Sequence, residues 1–249
     1  MMAHDLHGKR ALVTGASSGL GAHFARLLAR QGVEVVLAAR RAETLSGIVA
    51  EIRQQGGAAS AMRLDVRDIE ASSRAISELG TLSILVNNAG IVREGAALDQ
   101  NEAAWDDVID TNLKGMFFVA QAAARLMAPN PGGAIINIAS ILGLRQAGGV
   151  LPYAVSKAGV VQMTKCLALE LARQGTRVNA LAPGYLHTEL NGEFWTSDAG
   201  RALVRRIPQR RLGRLEDLDG PLLLLASDAS RYMTGAELVV DGGHLVSTL

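Results

Sequence analysis

Ala11-Leu-Val-Thr-Gly-Ala-Ser-Ser-Gly-Leu-Gly21 is a short aliphatic run that breaks into a glycine-punctuated turn, and a helical-period segment over 21–31 follows it. The run reads as a strand, so the motif is strand, turn and helix in immediate succession. Gly15, Gly19 and Gly21 let the backbone turn tightly and approach a pyrophosphate. The helix start adds unpaired N–H groups and the positive end of its dipole, in which Ser17, Ser18 and Leu20 take part by position. The spacing is G-x-x-x-G-x-G, which departs from the usual G-x-G-x-x-G of a dinucleotide site while keeping its context. The same residues match the nucleophile elbow G-x-S-x-G with Ser17 as attacking group. That reading calls for several strands before the elbow and for a supported histidine after it. Here the elbow would follow the first strand, His23 lies in the adjoining helix, and His187 and His244 have no supporting motif.

Working outward, short aliphatic runs recur at 11–14, 33–38, 59–64, 84–87, 134–139, 177–182 and 237–240. Segments at 21–31, 42–55, 68–79, 102–127, 153–173 and 216–226 are long enough to be crossover helices between them. This alternation predicts an α/β fold of the doubly wound, Rossmann type: a seven-stranded parallel sheet with helices on both faces and ligands at the carboxyl ends of the strands. Nothing divides the 249 residues, so a single domain over 1–249 is expected, with an irregular region at 183–215 read as a lid. Its five arginines between 205 and 214 read as solvated surface, or else as attraction for an anionic substrate or carrier.

Hydrophobic residues make up 49% of the chain and aromatics 4%, which suits small aliphatic strands and alanine-rich helices. A formal charge of +1 supplies no field for nucleic acid or an anionic membrane, so the expected partner is a small molecule. Residues 1–10 carry histidines and charges without an apolar core, and no apolar run approaches the roughly 18 residues of a membrane span. A cytoplasmic location is the expectation. Cys166, the single cysteine, sits in an apolar-rich stretch and is expected to be buried and structural. No two of the five histidines are spaced as ligands, so no metal is expected.

The second strand ends in Ala39-Arg-Arg41, about 20 residues beyond the glycine loop, where an NAD site places an acidic residue for the ribose 2'-hydroxyl. Ala39 stands in the acidic position and two guanidinium groups follow, Arg40 and Arg41, suited to a 2'-phosphate. NADP(H) is favoured and NAD(H) remains possible; the alternative is that the arginines simply end a strand in solvent. Further along, Tyr153 and Lys157 stand at i and i+4 at the start of a helix, with Ser140 thirteen residues upstream. That spacing projects a phenol and an ammonium from one helical face. A nearby cation stabilises the phenolate, so the lysine is expected to pull the phenol below its ordinary value of about 10.

The ordered set of motifs resembles the classical short-chain dehydrogenases/reductases over essentially the whole length. The set comprises Thr14 to Gly21, Asp65-Val66, Asn87-Asn-Ala-Gly90, Asn112 in Thr-Asn-Leu-Lys-Gly, Ser140 with Tyr153 and Lys157, and Pro183-Gly184 followed by Thr188. The resemblance implies that Asp65 bonds the adenine amino group, that Val66 supplies backbone contacts, and that Asn88, Ala89 and Gly90 pass beside the adenosine ribose. Leu186 and Thr188 anchor the carboxamide by the same analogy. Tyr153 is the implied general acid in hydride transfer to a carbonyl, Lys157 its tuner and a ribose ligand, and Ser140 the hydrogen-bond donor to the developing oxyanion. Asn112 is the implied holder of a water that links Lys157 to solvent. Asn87 reads instead as a tie between strands.

The expected activity is therefore NADP(H)-linked ketone reduction, with 3-oxoacyl thioesters as one substrate class. The alternatives are oxidation of a sugar, steroid-like or aryl secondary alcohol and, remotely, a non-catalytic protein that senses the cofactor. Substrate walls are expected from Leu142, Leu144, Val150, Leu151, Tyr185, Leu190, Phe194 and Trp195, with Gln146, His187 and Glu189 as polar selectors. The helices over 102–127 and 153–173 carry more apolar surface than one sheet face needs, and a homo-oligomer, a tetramer by the resemblance, would bury it.

Overall fold

The computed structural model describes residues 6–187 and 195–247. Its centre is a seven-stranded, fully parallel sheet: β1 (Arg10–Thr14), β2 (Glu34–Ala39), β3 (Ala59–Arg63), β4 (Ile84–Asn87), β5 (Ala134–Ile138), β6 (Arg177–Pro183) and β7 (Glu237–Val240). The spatial order is β3-β2-β1-β4-β5-β6-β7, so strand order reverses between β1 and β4. That reversal is where a doubly wound sheet opens a crevice at its carboxyl edge. β1, β4 and β5 are buried along almost their full length, as expected of strands covered on both faces.

The crossover helices are α1 (Gly19–Arg30), α2 (Ala42–Gln54), α3 (Ile69–Ser77), α4 (Glu102–Ile109), α5 (Met116–Met127), α6 (Leu151–Leu171), α7 (Asp198–Val204) and α8 (Asp219–Ala226). One core cluster joins α1, α2 and α8 to one sheet face through Phe24, Leu28, Leu45 and Leu222. A second joins α3, α5 and α6 to the other through Ile76, Val119, Met127 and Leu167. Pro152 opens α6 within its first two positions, where its missing N–H has no partner to lose.

The single helix expected over 102–127 is instead α4 and α5 joined by a π-helical stretch, Asp110–Gly115. Two local constraints accompany the wider turn. Asn112 is fully buried with both side-chain polar atoms bonded, and a Cβ at Gly115 would lie 2.5 Å from the carbonyl oxygen of Val66. Asn87 is the expected tie: its Nδ2 donates to the Met116 carbonyl at 2.8 Å and to Asn137 Oδ1 at 3.3 Å, linking β4 to α5 and β5.

Cys166 departs from its expected place. It is exposed, because the inward stripe of α6 runs through Val160, Val161, Thr164, Leu167 and Ala168, and residue 166 falls on the opposite side with Leu151, Val155 and Leu169.

Candidate active site

The loop after β1 is locked to the loop after β4. Thr14 Oγ1 accepts from the backbone N–H groups of Asn88 and Ala89 at 3.0 and 3.1 Å, and Asn88 Nδ2 donates to the carbonyls of Thr14 and Gly15. Gly15 adopts φ +64°, and a Cβ there would stand 2.9 Å from both Ala89 Cα and Asn88 Nδ2. A Cβ at Gly21 would overlap the Gly15 carbonyl. Only glycine fits either position, and the result is a bare backbone cradle facing the start of α1. Ser18, the N-cap of α1, contributes no side-chain capping bond, so the first amides of the helix keep their hydrogen-bonding capacity.

A shallow pocket beside this cradle is lined by Gly15, Ser17, Ala39, Arg40, Arg41, Asp65, Val66, Ala89 and Gly90. Both arginines are exposed. Asp65 also shapes its own turn, accepting from the Arg67 N–H at 3.1 Å, while Asp68 caps α3. Burial pushes the Asp65 carboxyl up, but the Arg67 amide and guanidinium, with the charge of Arg40, outweigh it and leave the group below the ordinary carboxylate value.

The second half of the site is a cavity of about 1510 Å³ that includes Leu20, Asn88, Gly90, Ser140, Tyr153, Lys157, Pro183, Gly184 and Leu186. Ser140 ends the connection out of β5 and caps the short turn Ile141–Gly143, accepting from the Leu142 N–H at 3.1 Å. Gly143 allows α6 to cross directly over that turn, since a Cβ there would stand 2.6 Å from the Lys157 carbonyl. Lys157 is buried, its Nζ donating to the Ile138 carbonyl at 2.7 Å and lying 5.6 Å from the centre of the Tyr153 ring. Asn112 approaches from the π-helical stretch, accepting from the Ile91 N–H and donating to the Ile91 carbonyl, both at 2.8 Å, and donating to Ser156 Oγ at 3.1 Å. Gly90 separates Asn112 from Lys157: a Cβ on it would be 3.4 Å from Asn112 Oδ1 and 3.7 Å from Lys157 Nζ.

The electrostatics correct one expectation. Tyr153 is not pulled below its usual value; burial pushes the phenol up, against an opposing hydrogen bond with Ser140, and Tyr185 adds to the rise. Desolvation also brings Lys157 down to about 8. Burial disfavours both charged forms, and at this separation the ammonium does not overcome it. The consequence is a phenol that is fully protonated at neutral pH.

The expected substrate walls divide. Leu142, Val150, Tyr185, Trp195 and Gln146 line the cavity. Leu144 packs into a core cluster, Leu151 faces outward, and His187 opens into a separate pocket with Arg201, Arg205, Arg211 and Arg214. Thr188, Glu189, Leu190 and Phe194 lie outside the described residues. Among the further cavity residues are Arg145, Arg206 and Glu94, which belong to no motif of the sequence, and His244, which the sequence left without a supporting motif. Among the described residues no cluster of metal-ligating side chains forms, and no helix is long and apolar enough to cross a membrane.

Residues 15–244 match the family model described as enoyl-(acyl carrier protein) reductase. The chain is 40% identical to gluconate 5-dehydrogenase of Gluconobacter oxydans, covering 98% of this chain and 97% of that protein. It is 38% identical to a 3-oxoacyl-acyl-carrier-protein reductase of Thermotoga maritima, covering 97% and 99%. The chain belongs to the short-chain dehydrogenase/reductase family. Among solved members, the gluconate 5-dehydrogenase of Burkholderia cenocepacia, in complex with NADP and tartrate, superposes with a TM-score of 0.95 at 36% identity over 100% of both chains. As a member of this family the protein is an oxidoreductase acting on CH–OH groups and their carbonyl counterparts.

Proposed function

We propose that the enzyme interconverts a secondary alcohol and a ketone with NADP(H), running most favourably as a ketone reductase in which Tyr153 is the general acid. The observation that carries this reading is the convergence of Ser140, Tyr153 and Lys157, from two elements, on one cavity that shares Gly90 and Ile91 with the pocket beside the glycine cradle. The cradle fits a pyrophosphate because Gly15 and Gly21 leave no side-chain atoms there, and Ser17, Ser18, Gly19 and Leu20 belong to the same turn and helix start. When bound, the nicotinamide supplies or accepts a hydride. Everything else is the work of the chain. The Tyr153 hydroxyl delivers a proton to the substrate oxygen, and Ser140 hydrogen-bonds that oxygen as negative charge grows on it. Lys157 holds positive charge beside the phenol, and Asn112, across Gly90 from it, forms the inner end of a route for proton resupply. We assign Asp65, Val66, Asn88, Ala89 and Gly90 to the adenosine side and Pro183, Gly184 and Leu186 to the nicotinamide side; Thr188, outside the described residues, is assigned there by family analogy alone.

Arg40 and Arg41, with Ala39 in place of an acid, support NADP(H) over NAD(H). We expect kcat/KM with NADPH to exceed that with NADH by about tenfold or more, from charge-assisted bonds to one extra phosphate. The double variant Arg40→Ala/Arg41→Ala should abolish the preference by losing NADPH affinity alone; an equal preference in the parent enzyme would refute the assignment.

The outward stripe of α6, with Leu151, Val155 and Leu169, and the neighbouring Trp105 of α4 support a homo-oligomer, a tetramer by family analogy. Sizing by light scattering at micromolar concentration should give a multiple of the 26.2 kDa chain mass; a monomer would exclude it. A reducing cytoplasm suits the exposed thiol of Cys166, which stays free there.

A further inference from the structure

One end of the catalytic cavity is built for negative charge. Arg145 and Arg206 line the same cavity as Tyr153, and neither is paired with a carboxylate among the described residues. Arg145 is held in place, since its Nη1 donates to the backbone carbonyl of His244. The charges of both arginines reach His244, which burial and they together push below its usual value, so this histidine is neutral at neutral pH. Asp241 acts on His244 in the opposite sense, and its carboxylate accepts from the Gly243 and Leu245 N–H groups at 2.8 and 2.5 Å. Glu94 is the one acid among the described residues that line the cavity; it is exposed and adjoins Gly95, which bridges to Val150.

Tyr185 lines the same cavity. Its ring packs against His244 with centroids 5.5 Å apart and against Trp195 at 5.5 Å. Its hydroxyl feels the charge of Arg145 and in turn acts on Tyr153. Tyr153, Tyr185, Arg145 and Arg206 thus line one cavity, with His244 contacting both the Tyr185 ring and, through its backbone carbonyl, Arg145. A ligand that places its reacting oxygen at Tyr153 would set an anion against two guanidinium groups, Arg145 half-buried and Arg206 exposed at the cavity wall, and gain charge-assisted hydrogen bonds there.

We propose that the substrate is a small hydroxy acid or the corresponding keto acid, with Arg145 and Arg206 binding its carboxylate while the carbinol or carbonyl carbon lies at Tyr153. The assignment rests on the alcohol–ketone reading above and narrows its substrate class. It excludes a neutral polyol or neutral ketone as the preferred substrate.

The test compares lactate, tartrate and D-gluconate with propane-1,2-diol, threitol and D-glucitol as NADP-linked substrates, using the full-length enzyme and Arg206→Met, Arg145→Met and Arg145→Lys. At least one acid should exceed its neutral counterpart in kcat/KM by about tenfold or more, the scale of a charge-assisted hydrogen bond. Arg206→Met should raise KM for that acid by a similar factor with kcat little changed and leave the neutral substrates unaffected. Arg145→Lys should recover part of what Arg145→Met loses. Calorimetric titration of the same acid into the enzyme with NADPH, where no turnover occurs, should show the matching loss of affinity. Equal or better turnover of the neutral compounds, or an acid KM unmoved in Arg206→Met, would overturn the carboxylate assignment and leave the alcohol–ketone reading intact. Turnover that survives Tyr153→Phe would strike at that reading instead.

Discussion

Tyr153→Phe is expected to lower kcat for carbonyl reduction by about 100- to 10,000-fold, the range spanned by removing a positioned general acid. The substitution deletes one oxygen and leaves the ring that α6 presents beside Ser140, so NADPH affinity should change little. Stopped-flow decay of cofactor absorbance under single-turnover conditions measures the chemical step alone. A rate within threefold of the parent would remove Tyr153 from the mechanism. The pH profile follows from the same group. Its folded-state value is raised by burial, so the donating, protonated form persists through neutral pH, and reduction should be flat there and fall only in the alkaline range. Alcohol oxidation requires the deprotonated form and should rise with pH over that range. Lys157, brought down to about 8 by burial, titrates at the start of that alkaline range. A reduction rate that climbs with pH would contradict the assignment of acid and base.

The second large effect belongs to the cradle. Gly21→Ala places a methyl group into the Gly15 carbonyl and within 2.7 Å of Asn88 Nδ2, so the turn, the start of α1 and the tie to the loop after β4 must all shift. Overpacking of this kind costs about 1–3 kcal/mol. Because the displaced atoms are those that would surround the pyrophosphate, we expect NADPH affinity to fall by about 10- to 100-fold, read by fluorescence titration. Gly80→Ala is the control. Gly80 also has positive φ, +76°, but a Cβ there meets nothing within 4 Å, so it should lower stability by about 1 kcal/mol and leave cofactor binding unchanged. Equal NADPH affinities for the two variants would show that the cradle does not hold the cofactor.

Much of this site was legible in the chain because its parts are local. A glycine turn between a strand and a helix, two residues one helical turn apart, and a serine at a strand end are patterns of short range, and parallel alternation determines that all of them reach one edge of the sheet. Asn87 was legible for a related reason: an amide at the end of a buried strand must find partners on its neighbours. The face that Cys166 would occupy was less so, since an apolar-rich helix in a parallel fold can turn a small residue either way, and packing against the sheet selected the stripe.

By itself the sequence determined the fold class, the cradle and the Ser140, Tyr153 and Lys157 set. Each depends on spacing within an element or on the order of elements. Only the tertiary structure decided that Arg145 meets the His244 backbone across 99 positions of chain and shares a cavity with Arg206, because no local period relates them. It also decided the direction of the Tyr153 shift. Spacing brings a cation near a phenol, but the balance between that cation and lost hydration depends on how deeply the folded chain buries both.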